Sequence, residues 1–391
     1  MIKVNKIKIH LFKYKNKNPV LSSFGRMTFR SSLIVELIDQ NDNSGFGEIW
    51  CNFPNHAGRY RFEIFKDYFA NLLKNFDFEK PSAPYDFFYE KFNSIKIQSG
   101  DYGAFSNIIS GIDCACWDLF SKNKKIPLNK LINSNSSDKI QVYASGINRD
   151  EHQERISEAR KLGIKKFKIK IGYDLNDDIS SLASIEKILN DSEDYMIDVN
   201  QAWKIDKVHS NIKALNQFRY YWLEEPISAD NSLNEIINLI NNHKNLAFGE
   251  NITQINNFVK LNDDTSIKFL QPDIARYGGI SQIISLKDRI VTDKLYLHYL
   301  GGAVGLVTSA HLMSAINQSG FLEYDINENA LRTDMLKPSV KIKDGNLLLN
   351  SSIGIGFYLS EMSKNYLNQY YELDRKSTRL NSSHLVISYA V

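Results

Sequence analysis

The stretch KKFKIKIG, Lys165–Gly172, decides how the chain is read. In an extended segment successive side chains point to opposite faces, so Phe167, Ile169 and Ile171 share one side and Lys166, Lys168 and Lys170 the other. The apolar side needs a core. The lysine side, with residues about 6.6 Å apart, faces either water or a polar interior that supplies counter-charges.

The rest of the chain decides between the two. Short apolar runs recur, each stopping on a polar or ionisable residue: IQVYAS at Ser145, KFKIK at Lys170, YMID at Asp198, YYWLE at Glu224, LAFGE at Glu250, IKFLQPD at Asp273, LYLH at His298 and GFLE at Glu323. Successive stops lie 25, 28, 26, 26, 23, 25 and 25 residues apart. The stretches between them, such as SSLASIEKILND and SLNEIINLINNH, carry apolar residues at helical spacing. Strand and helix alternating at this period predict an α/β fold: a (β/α)8-type barrel, a modified TIM barrel, whose functional loops gather at the C-terminal ends of the strands. Every stop after Ser145 is ionisable: one lysine, one histidine and five carboxylates. In such a barrel the lysine face of Lys165–Gly172 points inward.

The residue types at these stops suit one kind of chemistry. Asp198, Glu224 and Glu250 end three consecutive strands, which lie about 4.8 Å apart, so the three carboxylates are predicted to converge on one ion. An all-oxygen set with room for water and substrate suits Mg2+. Asn200, two residues past Asp198, adds an amide on the same side. Asp273 and His298 end the next two strands, where a carboxylate fixes the imidazole tautomer and raises its basicity. Lys170 comes from the opposite side of the ring, and repulsion from Lys168 helps it act as a base near neutral pH. Glu323, if protonated, can donate a hydrogen bond to developing oxyanion charge. Together these groups suit removal of the proton α to a metal-bound carboxylate, with Lys168 and the metal stabilising the enediolate, and loss of a β-hydroxyl as water when His298 supplies a proton.

Composition excludes several other classes. The 391 residues are 43% hydrophobic and 24% charged, with a net charge of +3 from intermixed signs, so nothing points to nucleic acid or a membrane surface. Cys51, Cys114 and Cys116 form neither an even framework nor a CxxC pair, which fits a reducing cytoplasm. The N-terminal MIKVNKIKIHLFKYK alternates like a strand and lacks the apolar core of a signal peptide. No run approaches the ~18 apolar residues of a membrane span.

Taken jointly, KIK (Lys168–Lys170), DVN (Asp198–Asn200), EEP (Glu224–Pro226), GE at Glu250, QPD (Gln271–Asp273), His298 and Glu323 resemble the enolase superfamily, and within it the mandelate racemase subgroup (mandelate racemase/muconate lactonizing enzyme-like). The resemblance covers roughly residues 1–373. It implies metal ligands at Asp198, Glu224 and Glu250, bases at Lys170 and His298, a small carboxylic acid as substrate, and a homo-oligomer. It also implies an N-terminal α+β cap whose two loops select substrate, here Lys15–Phe29 and Trp50–Arg59, with Arg26, Trp50, Asn52, His56 and Arg59 as candidate substrate contacts. The expected organisation is residues 1–133 as the cap, 134–345 as the barrel, and 346–373 as a segment returning to the cap. The stretch DRKSTRLNSSH (Asp374–His384) reads as one frame of a sequencing adapter, so residues 374–391 are set aside as foreign to the fold.

The leading expectation is an acid-sugar dehydratase giving a 3-deoxy-2-keto acid. A 2-hydroxy acid racemase or epimerase and a lactone cycloisomerase use the same groups. A Schiff-base aldolase on the same barrel needs one desolvated lysine and no carboxylate trio. A non-catalytic barrel protein would not need a complete set of bases and ligands.

Overall fold

The computed structural model describes residues 1–22 and 25–375, apart from the side chains of residues 17–26. The chain opens with a long antiparallel hairpin, Ile2–Ser22 against Gly25–Asp39, joined by a third strand, Ser44–Ile49. The turn between the last two is built by Asp39, whose carboxylate accepts from the backbone of Asn41 and Asn43 at 2.8 and 2.9 Å. The described residues of the expected substrate loop Lys15–Phe29 belong to the far end of the hairpin instead: Lys15 pairs with Phe29 and Val20 with Met27.

Both faces of these strands are covered. Leu33, Val35 and Leu37 pack with Phe65, Phe69, Phe88 and the helix Tyr102–Lys124, whereas Ile34, Phe12 and Phe46 belong to the core of the following barrel. This explains why SSLIVELID reads as a nearly continuous apolar run. The long helix lies close on the third strand because the contact is made of glycine. A Cβ at Gly47 would run into the Gly111 carbonyl, and one at Gly111 would meet Ile49.

Six strands follow in parallel order: Lys139–Asn148, Lys166–Lys170, Asp194–Asp198, Leu223–Glu224, Leu246–Phe248 and Phe269–Leu270. The seventh position is held by two parallel bridges, Leu270 to Leu295 and Asp273 to His298. The eighth strand, Phe321–Asp325, pairs in parallel with the first. Side chains cross the remaining interval: His298 Nε2 lies 3.3 Å from Glu323 Oε2, and the Asn317 amide donates to the Leu295 carbonyl at 3.1 Å. The fold is the barrel with an N-terminal α+β cap read from the sequence. Residues 346–373 are shared between the two layers. Asn346–Leu348 adds to the first barrel strand, and Leu367–Asp374 pairs with the N-terminal strand from Phe12 to Lys6. That ladder enters the stretch set aside above, since Asp374 pairs with Lys6 and the Arg375 amide donates to the Asn5 carbonyl at 2.6 Å.

The barrel interior is layered by the two-residue period of its strands. Tyr143, Met196, Trp222 and Phe321 form a buried floor with Ala247 and Phe269. Trp222 stacks on Phe321 at 5.4 Å and meets Tyr143 edge-on at 5.6 Å. Two residues further along the same strands stand Ser145, Asp198, Glu224 and Glu323. The three lysines occupy different levels. Lys166 pairs with Asp194 at 2.6 Å and lies over the rings of Tyr221 and Phe321. Lys168 is buried above the floor, its amine 5.6 Å from the Tyr143 ring, and Lys170 lines a cavity.

Gly47→Ala tests the close approach of helix and sheet that sets the position of the following residues, Glu48 and Trp50. Overpacking of this kind costs about 1–3 kcal/mol, so the urea midpoint of the variant should fall, with a larger loss than for Gly103→Ala, where the added methyl meets open space.

Candidate active site

A cavity of ≈ 280 Å³ opens between the cap and the C-terminal ends of the barrel strands. Its barrel wall includes Lys168, Lys170, Asp198, Glu250, His298 and Glu323, and its cap wall Met27, Arg30, Trp50, Asn52 and Phe53. Glu224 and Asp273 lie behind this wall, buried against Lys168 and His298 respectively.

Lys168 is the centre of the charged layer. Its amine lies 2.6 Å from Glu224 Oε1, 3.0 Å from Glu323 Oε1 and 3.7 Å from Asp198 Oδ2. Burial opposes its charge, but the surrounding carboxylates outweigh burial and hold its pKa well above the ordinary value. One ammonium cannot compensate three carboxylates. Burial, with repulsion from Asp198 and Glu323, accordingly pushes Glu224 up to about 7 despite Lys168. The other Glu224 oxygen accepts from Trp222 Nε1 at 3.0 Å and from the Gln271 amide at 2.7 Å.

His298 forms the opposite pole. Its Nδ1 lies 2.7 Å from Asp273 Oδ2, and its Nε2 lies 2.7 Å from Glu250 and 3.3 Å from Glu323. Burial disfavours the imidazolium, yet Glu250, Glu323 and Asp273 overcome it and raise the His298 pKa well above normal. Glu323, expected as a neutral donor, is instead held ionised. Burial alone would raise it, but Lys168 and His298 on either side draw it below its ordinary range.

Lys170 lines the cavity from the second strand, and its amine makes no ion pair or hydrogen bond among the described residues. Asn200 is folded back on Asp198, its backbone and side-chain nitrogens donating to that carboxylate at 2.8 and 3.0 Å. Asn200, Gln201 and Glu225 have φ of 46°, 63° and 37°, so left-handed backbone turns the chain sharply just past two of the carboxylates.

The cap candidates separate. Trp50 reaches the cavity and lies over the Arg276 guanidinium at 4.8 Å, while Arg276 approaches Glu250 at 3.8 Å and donates to Asn251 at 2.6 Å. Asn52 lines the cavity, but its amide donates to the Leu300 carbonyl at 2.6 Å. His56 and Arg59 are exposed on the helix-start side of the loop and do not line the cavity. The side chain of Arg26 lies outside the described residues. Sequence reading missed Arg30, a buried side chain that lines the cavity and pairs with Asp325 at 2.6 Å, with Arg332 3.5 Å from the same carboxylate. A charge inside the apolar strand TFRSSLIV was the available signal. Asp325 was legible too, two residues beyond Glu323 on the same face.

A profile of the Enolase C-terminal domain-like family matches residues 151–363, the part of the chain that carries every one of these strand ends from Lys168 to Glu323. The chain belongs to this family. Its likeness within the enolase superfamily is to mandelate racemase/muconate lactonizing enzyme-like proteins: a solved structure of that description from Bordetella bronchiseptica RB50 superposes with a TM-score of 0.82 at 28% identity, covering 92% of this chain and 97% of the other. An arabinonate dehydratase from Saccharolobus solfataricus is 25% identical over 74% of this chain and 80% of its own length. The L-talarate/galactarate dehydratase of Salmonella typhimurium LT2 is 26% identical over 88% of this chain and 84% of its own length. A structure of that enzyme liganded with Mg and L-lyxarohydroxamate shares the fold, with a TM-score of 0.82, 24% identity and 95% coverage of both chains.

The ion site expected for a family member is only partly assembled by these side chains. Among the described residues no three acidic, histidine or cysteine side chains converge as a ready-made cage. Glu224 is turned to Lys168 and Glu250 to His298, each drawn to the nearest buried cation. The donor chemistry nonetheless fits a hard divalent ion. All three donors are carboxylates, Asp198 and Glu224 stand in register on adjacent strands, and the layer holds more carboxylates than cations.

Lys168→Met should expose that excess. Removing one partner of a buried pair costs about 3–5 kcal/mol, and here it also raises Glu224 further. The variant's stability should therefore recover as pH falls through the raised carboxylate pKa, so urea denaturation should show a larger deficit at pH 8 than at pH 5. Added Mg2+ should restore part of the loss at pH 8.

Proposed function

We propose that this chain is a Mg2+-dependent acid-sugar dehydratase, which removes the proton α to a substrate carboxylate and expels the β-hydroxyl as water to leave a 3-deoxy-2-keto acid. The observation that carries this reading is the pairing of two unlike proton-transfer groups on the second and seventh strands of one cavity, a Lys170 amine with no ion pair or hydrogen bond among the described residues and a buried His298 held among Asp273, Glu250 and Glu323. Lys170 is the residue available to accept the α-proton. His298 is the residue equipped to donate one, since Asp273 on Nδ1 and Glu323 beside Nε2 favour its charged form. Lys168, charged and fixed, places a positive group where negative charge develops on the substrate carboxylate. Asp198, Glu224 and Glu250 would hold the Mg2+, which when bound supplies Lewis-acid stabilisation of that charge. The dehydratases among the relatives support the same reaction class.

The cavity also favours a polyhydroxylated substrate. Asp325 lies two residues beyond Glu323 on the eighth strand, about 6.6 Å outward, with Arg30 of the cap paired to it and Asn327 also lining the cavity. These groups suit the distal hydroxyl or carboxylate end of a sugar acid, while Met27, Trp50, Phe53 and Leu300 exclude water around it. The buried free thiols of Cys51, Cys114 and Cys116 are in keeping with a reducing cytoplasm. No helix among the described residues is long and apolar enough to cross a membrane.

Proton NMR in D2O with Mg2+ and a panel of aldonic, aldaric and 2-hydroxy acids tests the proposal. New 3-deoxy-2-keto signals are the expected outcome. Loss of the α-proton signal with the acid otherwise intact would replace dehydration by racemisation or epimerisation, and borohydride trapping without any Mg2+ requirement would replace it by Schiff-base chemistry. Lys170→Ala and His298→Asn should each abolish product formation.

Arg30→Met gives a separate test of the distal contact. Loss of a charged hydrogen bond of about 1.5–3 kcal/mol should raise KM by about tenfold or more for a sugar acid. The effect should be small for a short 2-hydroxy acid that cannot reach Arg30.

A further inference from the structure

Glu48 is a cap residue, far in sequence from every strand end that carries the chemistry, yet its carboxylate is buried and spent on the barrel. Its Oε1 accepts from the Gly302 amide at 2.7 Å and from the Ser32 hydroxyl at 2.8 Å, and its Oε2 accepts from the Gly305 amide at 2.9 Å. Gly302 and Gly305 open the helix Ala303–Ile316, a 14-residue helix that is buried throughout and has no side-chain cap of its own. Two N–H groups at its positive end, those of Gly302 and Gly305, are satisfied in trans by a carboxylate from the other layer of the molecule.

The segment so gripped is the one that presents His298. After His298 the chain runs through Tyr299, Leu300 and Gly301 to Gly302 before the helix begins. His298 is fixed from behind by Asp273 and by its own amide, which donates to the Pro272 carbonyl at 3.2 Å. Beyond it, Asn52 holds the Leu300 carbonyl at 2.6 Å and Glu48 holds Gly302. Both of these anchors come from the cap, one from the end of its third strand and one from the loop that follows. The approach is as tight as glycine allows, because a Cβ at Gly302 would meet both the Glu48 carboxylate and the Ser32 hydroxyl.

We propose that Glu48 is a positioning residue for His298: by anchoring the Gly302 end of the loop it makes docking of the cap a condition for correct placement of the imidazole. Asn52, expected as a substrate contact, serves as the second anchor. The inference rests on the reading of His298 as the proton donor, but its structural half can be tested without turnover.

The experiment uses the full chain with Glu48→Ala and the milder Glu48→Gln, which keeps one acceptor oxygen for a glycine amide. The His298 ring Cε1–H resonance, assigned by its loss in His298→Asn, should broaden or split in Glu48→Ala while the other histidine signals stay in place, and Glu48→Gln should lie between. Amide exchange across Tyr299–Leu306 should quicken in the same order. In D2O with a substrate, elimination should fall by about 10- to 100-fold in Glu48→Ala, the range for a misplaced catalytic group, while α-proton exchange through Lys170 changes by less than about threefold. An unchanged His298 signal would overturn the proposal, with or without a known substrate. So would an equal loss of exchange and elimination, which would make Glu48 a support of the fold as a whole. If the wild type turns over no acid but its His298 signal responds as described, the dehydratase reading fails while the clamp stands.

Discussion

A lysine ammonium held in the barrel interior among three carboxylates, above a floor of aromatic rings, is the constraint around which the rest is arranged. Lys168 has nowhere to move. Its strand fixes the backbone, Tyr143 lies beneath it, and Glu224, Glu323 and Asp198 surround its amine. A buried charge of this kind is tolerable only if its partners are as well fixed as it is. Each partner stands on a strand of its own, and Glu224 is further tied by Trp222 and Gln271. The layer thus orders the strand ends among themselves, and the same order presents Lys170 and His298 to the cavity.

The cap completes this layer from outside. Its sheet is a shared wall, with Leu33 and Val35 in its own core and Ile34 in the core of the barrel. Through that wall pass the contacts that matter at the mouth: Arg30 to Asp325, Asn52 to Leu300, and Glu48 to Gly302. A cap that merely covered the cavity would need only apolar complementarity. Buried polar groups that cross the boundary make its position definite, because a shift of the cap would strand charges and amides without partners.

The family relationship and the charge pattern describe the same residues. The profile match spans 151–363 and takes in Lys168, Asp198, Glu224, Glu250, Asp273, His298 and Glu323. Glu323 stands between the two poles, within reach of both Lys168 and His298.

The barrel was legible because it is a one-dimensional repeat. Strand alternation and a spacing of 23 to 28 residues bring the ionisable stops to one end of the barrel whatever the loops do. Identity at those stops was therefore readable residue by residue. What the chain order could not reveal was which charge each residue meets. That Glu323 lies within reach of both Lys168 and His298, and so stays ionised, depends on distances across the barrel. Lys15 and Val20 become sheet through pairing with Phe29 and Met27, and Asn52 turns to Leu300 because a carbonyl from a distant part of the chain comes to it. Arg30 and Glu48 lie in apolar strands of the cap, and only packing of cap on barrel gives their charges a destination. Local periodicity determines which face a side chain takes; the partners on that face are set by tertiary contacts between residues hundreds of positions apart.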